Sequence, residues 1–181
     1  IGKLFLKIIL ALFMNEKKIN LWLVLFWFVL IFLAFLFHTN NFLNGDEGVV
    51  LNGAWNLYNQ RRLYFDFFSF LPPLSFYFIY WLWLFLGASF WSAKIFSIVL
   101  LLIGAVGLFK IAQHLSSRLI NYFVPFIFIL ISSWWWIINH NFYYLVFSIW
   151  SVYFLLLFLE KNKSSYLLIS ALFSSAGIAI L

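Results

Sequence analysis

The chain has no cysteine among its 181 residues, only three prolines, and only five acidic side chains against eleven lysines and arginines. Without cysteine there is no disulfide framework, no thiolate metal site and no cysteine nucleophile. With 9% charged residues there is too little polar surface to clothe a water-soluble domain of this length. What fills the sequence instead is hydrocarbon: 66% of residues are hydrophobic and 25% aromatic. Backbone groups in a bilayer must pair within the segment, which leaves helices or closed barrels. The apolar runs are continuous, without the alternation of a barrel strand, so the fold class expected is all-α, a polytopic transmembrane helix bundle.

The net charge of +6 is no sign of nucleic-acid binding, because the basic residues fall between apolar runs, where they orient spans. Residues 1–13 carry Lys3 and Lys7 and are too short to cross; they read as a cytoplasmic or interfacial lead extending to residue 18. Lys17 and Lys18 precede a first span at 19–37, which places the N-terminus in the cytoplasm and a polar loop, 39–72, outside. Further membrane helices occupy 73–181, with apolar runs near 73–86, 91–113, 121–138, 142–159 and 165–181. If the short run 73–86 does not cross, the basic stretches 110–118 and 161–163 fall on one side and 139–141 on the other, as the positive-inside bias prefers. Ile1 and the apolar run ending at Leu181 read as cut ends, the N-terminal part of a longer protein.

The polar loop holds Asp46, Glu47 and Asp66, three of the five acids. Residues 49–60 have two faces at helical spacing, with Val50, Ala54, Leu57 and Tyr58 on one side and Asn52, Asn56, Asn59 and Gln60 on the other. That pattern predicts a helix lying flat in the headgroup layer, its apolar face in the acyl boundary and Asp46 and Glu47 at its N-terminal end. An acid there either caps the helix or does chemistry, and the residues alone leave both open. Asp66, among aromatics, either pairs with Arg61 or Arg62 or is functional. The two arginines suit a phosphate, whether substrate or lipid headgroup. His140 lies beside Trp134, Trp135, Trp136, Tyr143 and Tyr144, as a belt residue or as a contact to sugar or acceptor.

In order along the loop stand Asp46-Glu47-Gly48, Gly53-Ala54-Trp55, Leu63-Tyr64-Phe65-Asp66-Phe67-Phe68, Pro72-Pro73-Leu74 and Phe85-Leu86-Gly87-Ala88-Ser89. This succession resembles the membrane-embedded GT-C glycosyltransferases, near the protein O-mannosyltransferase and aminoarabinose-transferase group (glycosyltransferase family 39), over residues 20–110. One departure is Lys94, where the family often carries an arginine. The resemblance implies an inverting enzyme in a bacterial plasma membrane. It would move a sugar from a polyprenyl-phosphate donor to a hydroxyl acceptor on protein, lipid or glycan at the outer face. A phosphate leaves without needing a proton, so one carboxylate suffices to deprotonate the acceptor. By resemblance Asp46 takes that role and Glu47 orients the acceptor or raises its neighbour's pKa. Asp66, Arg61, Arg62 and His140 are the candidate substrate contacts. The residues define no cofactor and leave a divalent-metal requirement open. Two alternatives stand beside this reading: a non-catalytic transporter or scaffold subunit, and an O-antigen polymerase or ligase.

Overall fold

The computed structural model describes residues 21–39, 45–115 and 118–180. The lead at 1–18, the start of the first span and loop residues 40–44 lie outside the described residues. Among the described residues seven helices form: α1 Leu21–Thr39, α2 Gly45–Tyr58, α3 Leu74–Leu86, α4 Phe90–Leu115, α5 Arg118–Ser132, α6 His140–Lys161 and α7 Ser164–Ile178. Three of them, α1, α4 and α6, are long and apolar enough to cross a membrane. At 1.5 Å per residue they reach roughly 28, 39 and 33 Å, against a hydrocarbon core of about 30 Å.

Local chemistry sets the boundaries. Gly87 closes α3 with φ 80°, returning its N–H to Trp83. Asn162 does the same for α6 in the left-handed region, returning its N–H to Phe158. Asn139 caps α6, its side chain accepting from the Asn141 N–H at 2.8 Å. The apolar run expected at 121–138 is helical only to Ser132. There the Ser132 and Ser133 hydroxyls donate to the Ile129 and Leu130 carbonyls at 2.7 and 2.6 Å. These bonds satisfy acceptors at the helix end and let the chain turn away before Asn139. Hydropathy cannot register such a stop.

α6 and α7 form an antiparallel hairpin. Ser151 meets Ser170 and Ser174 across it, and Gly177 lies against Tyr144. α4 runs parallel to α6, as successive contacts along both helices show. Ser97 bonds the Tyr143 hydroxyl, the Trp150 indole donates to the Ile103 carbonyl, and His114 meets Glu160 at 3.3 Å. Gly107 permits that closeness, since a Cβ there would lie 2.7 Å from the Ile149 side chain.

These directions decide the place of α3. Its first residue, Leu74, donates to the Ala179 carbonyl just past α7, at the end of the bundle where α6 begins. Near its last turn, the Trp83 indole donates to Ser89 and Ser92 where α4 begins, at that same end. α3 therefore lies across one end of the bundle and does not traverse it.

α2 packs on α3. Val50, Ala54 and Leu57 are buried, as the two-faced pattern predicts. Their cover is protein, not lipid: Gly53 sits so tightly on Phe76 that a Cβ would lie 2.5 Å from the ring, and Trp55 and Tyr58 reach Trp83. The expectation of an apolar face resting in the acyl boundary is thus corrected, because α3 offers that face an aromatic surface first. Asn52, Asn59 and Gln60 are exposed, whereas Asn56 is buried and bonds the Asn52 carbonyl. The helix also ends sooner than expected, at Tyr58, with Gln60 already at φ 63°.

Candidate active site at the start of α2

The N-terminus of α2 is pressed into the bundle, and its two acids part ways there. Glu47 has no exposed surface, while Asp46 is exposed. Glu47 Oε1 accepts from Lys94 Nζ at 3.0 Å and from the Ile138 N–H at 3.3 Å. Lys94 lies one turn into α4 and is itself buried. A lysine buried in a 26-residue apolar helix needs a counter-charge, and a buried glutamate needs a cation. The cation also lies 5.6 Å from the centre of the Phe90 ring.

Asp46 Oδ2 accepts from Asn139 Nδ2 at 3.4 Å. The next residue, His140, opens α6 within electrostatic reach of Asp46. Thus the loop's acids meet the α5–α6 connection, a segment more than ninety positions later in the chain. Behind them, at the end of α1, buried His38 pairs with Ser132 at 3.1 Å. Buried polar atoms with no partner among the described residues collect at this end: Glu47 Oε2, His38 Nδ1 and His140 Nδ1. An apolar cleft of about 270 Å³ opens beside them, lined by Phe128, Ile131, Ser132, Trp135, Phe142 and Leu145, with Asn141 at its edge.

The other expected site residues are elsewhere. Asp66 does not approach the acids; it accepts from the Arg62 N–H at 2.7 Å and from Arg62 Nε at 3.4 Å. That backbone N–H, and more weakly the guanidinium, holds the Asp66 carboxyl below its usual range. Arg61 donates to Asn56 Oδ1 at 3.1 Å. All three lie in the turn that follows α2, whose last residue, Tyr58, is about 18 Å along the helix axis from Asp46. Of the expected residues, the fold brings together Asp46, Glu47 and His140.

Sequence reasoning left Lys94 without its partner and passed over His38, Ser132 and Asn139. For Lys94 the signal was present: an intramembrane cation demands a carboxylate. For Asn139 the signal was the start of a helix, which explains the residue without any second role. Among the described residues, no group of three or more His, Asp or Glu is placed to hold a metal ion.

Residues 71–181, more than half of the chain, match the family model of the dolichyl-phosphate-mannose-protein mannosyltransferases. The chain belongs to that family. It is a membrane glycosyltransferase of GT-C type, which sets aside the transporter, scaffold and polymerase alternatives. The matched span carries Lys94, Ile138, Asn139 and His140, and the acids reach them from the segment just before it. No curated protein and no solved structure gives a match to the chain.

Proposed function

We propose that this site moves a sugar from a polyprenyl-phosphate carrier to the hydroxyl group of an acceptor (on a protein, lipid or glycan) at the outer face of a plasma membrane, with inversion. The observation that carries the reading is the division between the two acids. Lys94 and the Ile138 N–H hold Glu47 in place, while Asp46 stands exposed next to it, beside Asn139 and His140. A fixed acid and an exposed acid side by side suit one positioning role and one chemical role.

In this reading Asp46 is the general base. The acceptor oxygen attacks the anomeric carbon as the bond to the phosphate oxygen breaks. The phosphate leaves with the electron pair, and the acceptor proton passes to Asp46. Attack opposite the leaving group inverts the anomeric centre. The Glu47–Lys94 pair anchors the start of α2 to α4, so that Asp46 is presented at a constant depth. Asn139 and His140 serve the sugar or the acceptor from the opposite side. The apolar cleft between α5 and α6 suits the first isoprene units of the carrier, since Ser132 and Asn141 line it on either side of the connection that the acids meet, and the rest of its lining is hydrocarbon and aromatic. Lys17 and Lys18 put the N-terminus in the cytoplasm by the positive-inside bias, and hence the acids outside.

The test is Asp46→Asn in the full-length protein, with transfer of radiolabelled sugar from polyprenyl phosphate measured in membranes. Asn keeps the shape and the capping ability, so stability should change by well under ~1 kcal/mol. Transfer should fall about 10²–10⁴-fold, the typical worth of a general base, with donor binding retained. Wild-type rates in the variant would reduce Asp46 to a helix cap.

A further inference from the structure

The C-terminal end of α2 carries a groove of its own, of about 450 Å³. Its polar lining comes from Gln60, Arg61, Arg62, Tyr64, Tyr77 and Tyr80. Two guanidinium groups and three phenols around one concavity make a donor-rich wall. Arg61 commits one nitrogen to Asn56, and Arg62 commits Nε to Asp66. Neither terminal nitrogen of Arg62 has a partner among the described residues, so one edge of its fork stays available. The Asp66 bond and the Phe65 ring, 5.1 Å from the guanidinium carbon, restrict where that fork can swing.

The backbone here is unusual as well. Gln60 and Tyr64 both take positive φ, 63° and 67°, without being glycine. The turn is held closed by the Tyr64 N–H to the Phe67 carbonyl at 2.8 Å. Its outer surface is apolar: Phe65, Phe68 and Phe70 are 82, 82 and 77% exposed. Aromatic side chains this bare, next to arginines, belong at the boundary between headgroups and acyl chains. A ligand reaching the groove therefore comes from the plane of the bilayer.

We propose that this groove binds the phosphate of an anionic membrane lipid, as a site separate from the transfer chemistry. The Tyr64 hydroxyl donates to the Leu71 carbonyl at 3.5 Å, and a phosphodiester at headgroup depth supplies the acceptor that the open edge of the Arg62 fork lacks, with the phenols of Tyr77 and Tyr80 lining the same groove. The groove lies a helix length from Asp46, too far for one headgroup to occupy both. Bound there, the lipid would pin the far end of α2 to the membrane surface while Glu47 and Lys94 pin the near end.

Photoactivatable phosphatidylglycerol tests the assignment on the intact protein in phosphatidylcholine nanodiscs, with the labelled peptide mapped by mass spectrometry. Label should concentrate at residues 60–65 and fall at least about tenfold in the double variant Arg61→Gln/Arg62→Gln, the loss expected for charge-assisted bonds. Arg61→Lys/Arg62→Lys should fall between, since charge stays and the fork is lost. Unlabelled phosphatidylglycerol should displace the probe from wild-type protein; phosphatidylcholine should not. The wild-type competition decides the matter even if a variant fails to accumulate. Equal displacement by both lipids, or undiminished labelling in the glutamine variant, would overturn the proposal in favour of a plain aromatic belt. Displacement by inorganic phosphate in place of lipid would make the groove a free-phosphate site and overturn the lipid assignment. Asp46→Asn should leave the label unchanged, so failure here and failure of the transfer reading are told apart.

Discussion

The two ends of α2 each carry an ion pair, and the pairs have opposite characters. At the N-terminal end Glu47 and Lys94 meet at 3.0 Å with side chains 0 and 2% exposed, 47 positions apart in sequence. At the C-terminal end Asp66 and Arg62 meet at 3.4 Å with side chains 40 and 73% exposed, four positions apart. The first joins two helices; the second closes a turn. A buried charge stripped of its partner cannot recover water, whereas an exposed one simply rehydrates. Identical chemistry therefore serves as a structural clamp at one end and as a positioning device for a side chain at the other.

The sharpest way to break this contrast is to remove Lys94. Lys94→Ala leaves Glu47 charged in a dry site and should cost about 3–5 kcal/mol, read by SDS-driven unfolding. Adding Glu47→Gln should restore much of that loss, because the uncompensated charge disappears, while transfer activity stays low if Asp46 depends on the clamp for its position. Equal unfolding of single and double variants would show that the pair is not coupled.

A smaller effect is expected at Gly53, which tests whether protein or lipid covers the apolar face of α2. Gly53→Ala drives a methyl into the Phe76 ring and should destabilise by about 1–3 kcal/mol, with partial rescue by Phe76→Leu. A neutral result would return α2 to the acyl boundary, where an added methyl has room.

The smallest effect belongs to Asp66→Asn, which should lower the unfolding midpoint only slightly near neutral pH, because the Asp66–Arg62 pair is exposed. The sign of its pH dependence is still defined. The folded-state pKa is lowered, so the carboxylate's contribution is present above the unfolded-state value and is lost as pH falls through the folded-state value. The wild-type minus variant difference in unfolding midpoint should therefore shrink only at acidic pH. A difference that instead grew on acidification would contradict the Arg62 contacts.

Much of the site's address was legible before any coordinates. The acids in the first polar loop, the helix following them and the order of the short motifs all point to the start of α2. The pairing of Asp66 with one of two arginines was one of two readings open, and the structure chooses Arg62. The separation of that cluster from Asp46 was not legible. In an extended loop all these residues could converge, and only a rigid α2, about 18 Å long from Asp46 to Tyr58, puts them at opposite ends. Likewise the face of Val50, Ala54 and Leu57 is visible as a pattern, but a pattern is satisfied equally by lipid or by α3.

By itself the amino-acid order determined that the chain lives in a bilayer as helices, because runs of hydrocarbon leave the backbone no other way to pair. It also determined where α2 turns amphipathic and where Gly87, Asn139 and Asn162 punctuate the helices. Only the tertiary structure decided that α3 lies across the bundle, since both directions are open to a largely apolar helix of thirteen residues. Only it decided that Glu47 belongs to Lys94 and Asp46 to Asn139. Local propensity acts over a few neighbouring residues, whereas these partners are 47 and 93 positions apart. Which of them meet depends on which helix ends share one end of the bundle.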